Sequence, residues 1–562
     1  MPNPTRFRRW RRVMLWTAGT ITLLFLVLIL FVNRMMEPLL RERLHTLIIQ
    51  GSDSLYTYTL GKLDASFYGG DVVITDLKIQ VDSNRYEYLR RRNALPPLTM
   101  NLTLGSGHVY GVGIIDLLFG KKVVVREIMS KDANLKLSRH VRPDDSEPRS
   151  NVPLWKALQP NIKSIDIQRI RLERVKMNYK NADTSESLKL EFEGCNALIR
   201  DIRIDSTADM DTSRIGFAKS IQLQIEEVKY RTQDSSYKLK IDTVDYSSVE
   251  KQLRLKNFKW QPTLERDAFY ALRQVQEPMY IVKFDQIFLR NFRLDHFIRN
   301  NLIDPASALL DSADVTIYND RTLLTNVRSK IGEYPHQKLL GADVRVLLPK
   351  LDLTNGRIRF TERAAEGGEE GGFELTELNI SASNLTNLPA EIRKDPLMKA
   401  SARARIFGSS PLAVDFRFYL DSANGRFDAE GQVSSVNADQ LNALAKPLAK
   451  VQINAFNIDW LKFQVRGEDY TSYTSAQMKY HGLSVTFRKI DEETGALKTK
   501  KFMTKLVNRY ILWDSNPGPD GVQRVAQNHR LSRLTTQSFF GFLWKSIFAG
   551  MQDILMKQGR YG

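Results

Sequence analysis

From about residue 55 onward the chain alternates apolar and polar positions with a period of two, rich in β-branched and aromatic side chains. That is the pattern of strands with one buried face. The alternation is punctuated in a regular way: two apolar residues two apart, a step of three, then two more two apart. The spacing occurs at Val72, Ile74, Leu77 and Ile79, and at Ile165, Ile167, Ile170 and Leu172, continuing to Val175 and Met177. It returns at Leu223, Ile225, Val228 and Tyr230, at Leu239, Ile241, Val244 and Tyr246, and at Leu253, Leu255, Phe258 and Trp260. Val282, Phe284, Ile287, Leu289, Phe292 and Leu294 repeat the longer form. An extra residue would turn the apolar set of a strand to its other face. A bulge at each step of three absorbs that residue and bends the strand.

The expected fold is therefore mostly β. It has an elongated, curved, repetitive sheet over residues 55–490, shaped as a groove or taco with one apolar face. About 20–25 strands at ~4.8 Å spacing would extend on the order of 100 Å. Such a sheet must close on itself, pack against helices, or carry apolar cargo, because so large an apolar surface is not left in water. The floor would be made by Val72, Ile74, Leu77, Ile165, Ile167, Ile170, Leu172, Leu223, Ile225, Leu239, Ile241, Val282, Phe284, Ile287 and Leu289, joined by Leu351, Leu353, Ile358 and Phe360.

Interruptions are few. Helices are expected at Asp267–Gln276, Phe297–Leu310 and Asn437–Ala449, and a surface loop at Arg142–Pro153. Residues 491–562 read as a helical cap, with helices at Phe502–Leu512 and Thr535–Met556. In the last of these Phe540, Trp544, Ile547, Met551, Ile554 and Leu555 share one face, so it either plugs the sheet or lies on a membrane surface.

The N-terminus has a different character. Arg6, Arg8, Arg9, Arg11 and Arg12 fill a basic arm over residues 1–12, and the run from Val13 to Val32 carries no charge. At about 1.5 Å rise per residue that run covers a ~30 Å hydrocarbon layer. Arginines before the span place the short arm in the cytoplasm and the remainder across the membrane. A cleaved signal peptide would have a shorter apolar region and a small-residue cleavage site. Residues 33–54 continue as an amphipathic connecting helix.

Composition narrows the chemistry. Lys and Arg total 82 against 64 Asp and Glu, a net charge of +18, which reads as a diffuse solvated surface outside the basic arm and does not call for nucleic acid. Cys195 is alone, which excludes an intrachain disulfide, and its apolar neighbours predict a buried thiol. No two of the seven histidines lie within a helical turn of each other, and no nucleophile elbow or phosphate-cradling loop occurs. The glutamates of 362–372 alternate with glycines that give them no fixed geometry, and Asp514–Gly521 only partly follows a calcium-loop pattern. We therefore expect no enzyme, no metal and no cofactor.

The stretch Leu63–Ile79 after the anchor, the pair Leu351–Phe360 and Phe373–Ile380, and the region from Gly425 through Met478–Leu483 to Phe542–Lys545 resemble AsmA-like proteins. The resemblance implies a single-pass inner-membrane protein with a periplasmic body. It also implies a β-groove that binds or conducts phospholipid for outer-membrane biogenesis, with no catalytic residues. Envelope proteins are possible partners of the C-terminal region. The alternative is a scaffold of the cell envelope, its sheet filled by its own side chains.

Overall fold

The computed structural model describes residues 48–557, apart from 50–51, 53, 67–69, 93, 97, 114–121, 141–162, 182–189, 209, 212, 233 and 491–496. The basic arm, the expected span over 13–32, nearly all of the connecting helix and the 142–153 loop lie outside the described residues. Among the described residues no helix is long and apolar enough to cross a membrane. The chain divides into two compact units, one of residues up to Phe258 with Arg290–Leu302, the other of Lys259–Leu289 with Ile303 onward.

The first unit is built from β1 (Tyr56–Thr59), β2 (Lys62–Ser66), β3 (Asp71–Val81), β4 (Leu98–Val112), β5 (Lys122–Arg139), β6 (Ser164–Asn181), β7 (Leu190–Ile204), β8 (Ser220–Arg231), β9 (Tyr237–Ser247) and most of β10 (Gln252–Pro262). β1 and β2 both pair with β3, and β3 to β9 pair in sequence order, antiparallel except for the parallel β5–β6 pair. That parallel register joins Val123 to Ile165, Val125 to Ile167 and Ile128 to Ile170, so both strands carry the same punctuated spacing.

The second unit contains β11 (Met279–Arg290), β12 (Leu302–Ile303), β13 (Ser307–Asp311), β14 (Asp314–Asp320), β15 (Arg345–Arg363), β16 (Glu370–Thr386), β17 (Leu397–Ile406), β18 (Ser410–Tyr419), β19 (Phe427–Asn437), β20 (Val451–Gly467), β21 (Thr471–Ile490), β22 (Leu497–Thr499) and β23 (Val525–Ser532). β13 and β14 lie parallel to β15, and β15 to β21 form an antiparallel meander that β23 extends.

The steps of three have a backbone basis. Asp76, Arg174, Glu227, Asn257 and Asn291 each sit inside one, and each adopts a left-handed conformation with φ between 51° and 57°. Asn and Asp tolerate that region, whereas Arg and Glu enter it at a cost of about 1 kcal/mol. The steps at 167–170, 241–244 and 284–287 contain no such residue. Those at 167–170 and 241–244 are matched by a neighbouring strand: Val125 and Ile128 face Ile167 and Ile170, and Val228 and Ile225 face Ile241 and Val244. Steps also line up across strands: the registers place Asp76, Gly105, Asp132 and Arg174 in one row. The Arg174 guanidinium grips Asp132 with two contacts of 2.7 and 2.6 Å.

The helices need some correction. The first expected helix is only Arg266–Ala271. The second runs from Leu294 to Asn300, and Leu302–Leu310 is not helical. Asn301 turns left-handed at φ 53° and ends it, after which Ala308 and Leu310 join the sheet beside Leu351 and Leu353. Asn437 caps the helix Ala438–Ala449 by accepting from the Gln440 amide. Of the expected 362–372 loop only residues 364–369 connect the strands, because Glu362 and Arg363 of β15 pair with Gly371 and Glu370 of β16.

Candidate functional site

The punctuated spacing places apolar side chains in rows that cross many strands. In the first unit one row runs Ile79, Leu102, Leu135, Met177, Phe192, and another runs Val72, Val109, Ile128, Ile170, Ile199, Ile221. In the second unit Leu310, Leu353, Ile380, Ala402, Val414, Gly431, Phe463 and Ala476 form a comparable row. Val282, Val315, Ile358, Leu375 and Ile406 form another.

Burial changes along these rows. Val72, Ile74, Leu77, Ile165, Ile167 and Ile170 are buried in one cluster with Leu104, Val125 and Ile204, and Leu172 packs against it. At these positions the apolar face is sealed by the protein's own side chains. Farther along, Ile199, Ile221, Leu223, Ile225 and Leu239 are only half-buried, while Ile241 is buried. In the second unit Val282, Phe284, Ile287, Leu289, Leu351, Leu353, Ile358 and Phe360 all keep partial solvent access. The opposite face of the same strands is polar, with Gln224, Glu226, Lys240 and Arg357 exposed. The sequence reading missed β5: Val123, Val125, Ile128, Ala133, Leu135 and Leu137 are buried in the first cluster and carry the same spacing.

Rows of the second unit become covered as they reach the helix Phe539–Leu555. Ser538 caps that helix by accepting from the Gly541 amide. Phe539, Phe542, Leu543, Ile547, Met551 and Ile554 enter a core with Val414, Phe463, Ala476 and Met478. Phe539 meets the rings of Phe427 and Tyr334 edge-on at 4.9 and 5.1 Å. Arg533 lies 4.4 Å over the Tyr334 ring and donates to the carbonyls of Asp469, Lys330 and Gln537. At Gly550 a Cβ would come within 2.8 Å of Thr474, so only glycine lets the helix seat so closely on β21. The helix is thus a plug. The expected apolar face is rotated, however: Phe540 and Trp544 are 67% and 50% exposed, on the outer side with Phe548. The helix is apolar nearly all round, so its periodicity does not single out the packed side.

Cys195 stands on the apolar side, opposite Val175 and Ile225, and burial pushes its thiol up to about 11, away from the thiolate form. Among the described residues no three metal-ligating side chains cluster. Asn516 is fully occupied by the carbonyls of Met478 and Arg524 and the amide of Arg524, and Asp520 accepts from Arg524. No protein-family model matches this sequence, and no curated protein does. The site therefore rests on its geometry: apolar rows that cross many strands, three of them buried along part of their length and the row from Val282 to Ile406 half-buried throughout.

Proposed function

We propose that the protein is a membrane-anchored, periplasmic, AsmA-like lipid-handling protein, its body held by residues 13–32. Phospholipid acyl chains lie on the uncovered stretches of its apolar sheet faces, for passage towards the outer membrane. The observation that supports this is the partial solvent access of the second-unit rows from Leu289 and Leu353 to Ile358 and Phe360. Each such side chain is already more than half buried, and covering what remains would add up to about 1 kcal/mol, which favours an apolar occupant. Basic side chains on the polar face suit phosphate headgroups, as Arg357 and Arg359 do on β15, although both already contact acids there.

Photocrosslinking amino acids at Leu289 and Leu353 should label phospholipid in cells, and the same group at buried Ile170 should not. Adducts with protein alone at the first two positions would sink the proposal. A scaffold role is favoured for the filled stretches only, where Ile165, Ile167 and Val465 have no more than 1% of their surface exposed and leave nothing for a ligand to touch.

A further inference from the structure

The segment between β22 and the turn at Asp514 is built against the usual rule for a soluble protein. Residues 497–513 hold Lys498, Lys500, Lys501, Lys505 and Arg509 and no acid, although Asp491, Glu492 and Glu493 precede them outside the described residues. This is a basic concentration that the overall composition hides. The segment folds as the helix Lys501–Leu506 followed by a wider turn over Val507–Ile511. Val507 and Leu512 pack inward against the core, but four large apolar side chains point outward: Phe502 is 82% exposed, Tyr510 61%, and Met503 and Leu506 about 40%.

The backbone beneath is firmly held. Asn508 donates to the carbonyls of Val485 and Thr504 and accepts from the Val485 amide. Thr504 accepts from the Phe487 amide. At the far end, Trp513 donates to the Leu555 carbonyl, and Lys557 donates from its amide to Ile511 and from Nζ to the Arg509 carbonyl. The outward aromatics are therefore presented by a fixed base, not by a frayed end.

We infer that this surface docks on an anionic phospholipid bilayer, with Phe502, Leu506 and Tyr510 entering the headgroup layer and Lys501, Lys505 and Arg509 meeting the lipid phosphates. Exposed aromatic and aliphatic side chains interleaved with cations and free of acids match an interface that is apolar inside and negative outside. A protein partner with an acidic face would call for fewer exposed aliphatic groups and more fixed polar partners. The inference is independent of what occupies the sheet rows, because none of these residues lines them.

The test uses the full chain held in nanodiscs of neutral phosphatidylcholine, mixed with vesicles of phosphatidylcholine alone or with added phosphatidylglycerol. Sedimentation should carry the protein with the anionic vesicles only, and less so as salt rises. A Lys501→Glu, Lys505→Glu, Arg509→Glu variant should lose on the order of 100-fold in affinity. Phe502→Ser with Tyr510→Ser should lose about tenfold and leave thermal unfolding unchanged, since both side chains are exposed. In a Cys195→Ser background, an environment-sensitive dye at Phe502→Cys should shift blue on adding anionic vesicles. Equal binding to both vesicle types, wild-type binding by the charge-reversed variant, or an unshifted dye would overturn the inference. So would self-association through this patch in the absence of vesicles.

Discussion

Strands β3–β6 and strands β13–β16 are written in the same pattern, yet one set is a filled core and the other a surface. Val72, Ile74, Val125, Ile165 and Ile167 have at most 1% exposure, while Leu309, Leu310, Leu351, Leu353, Ile358 and Phe360 stay half-buried. Both sets alternate, both step by three, and both use left-handed residues to keep their faces: Asp76, Asp132 and Arg174 in one, Asn355 and Glu377 in the other. Patterning decides which side of a strand is apolar. It does not decide what will lie against that side, and that is where the two regions part.

The comparison is broken most directly by placing a charge in each. Ile167→Asp should leave the first unit unable to fold, at a cost of roughly 5 kcal/mol, because the carboxylate would have no water and no partner. Leu353→Asp should change stability by about 1 kcal/mol or less and instead abolish lipid crosslinking at Leu289. Denaturant unfolding of the two variants gives the answer. Equal destabilisation would mean that the β15 face is as filled as β6.

The plug helix offers a contrast within one element. Phe542 is fully buried against the sheet, so Phe542→Ala should cost about 3–5 kcal/mol. Trp544, on the outer side, should cost about 0.5 kcal/mol or less when cut to alanine. A large loss at Trp544 would show that something covers the outer stripe in the intact protein.

The covered end of the second unit should also respond to acid where the uncovered rows do not. His336 is fully buried between Tyr334 and Phe418 with neither ring nitrogen hydrogen-bonded, and burial pulls its pKa from 6.5 down to about 4. Between those values the unfolded chain binds the proton and the folded one does not, so stability falls as pH drops through that window. The loss reaches up to about 3 kcal/mol near pH 4. His336→Leu should flatten the slope in denaturant titrations at pH 7, 5.5 and 4.5. A slope that persists would place the titrating group elsewhere.

Much of this was readable in the residues. The spacing located the strands and their bends, because a bulge is a local event written in a single strand. What could not be read was long-range. Leu302–Leu310 fits a helix as well as two short strands, and only its parallel pairing with β15 decides the matter. Ile170 and Ile287 hold the same place in the punctuated spacing, yet one is buried and the other half-buried, because burial is set by segments far along the chain. Phe540 and Phe539 differ only in which side of an all-round apolar helix meets Tyr334 and Phe427.

The smallest expected effect tests whether the bends themselves differ between covered and uncovered stretches. Asp76 in β3 and Glu227 in β8 occupy equivalent left-handed steps, at φ 55° and 51°. Aspartate tolerates that conformation and glutamate does not, so replacing each by glycine should be close to neutral at Asp76 and stabilising by about 0.5–1 kcal/mol at Glu227. The second figure already allows for the freedom glycine adds to the unfolded chain. Losing the exposed Glu227–Lys229 ion pair, 3.1 Å apart, should take little away. Unfolding midpoints of the two variants, measured side by side, distinguish the cases. Equal gains would mean that residue type at the step is immaterial and that the row of bends is imposed by its neighbours. A loss at Glu227 would mean that its side chain holds the bend open, and that the uncovered stretch is shaped by its polar face as much as by its apolar one.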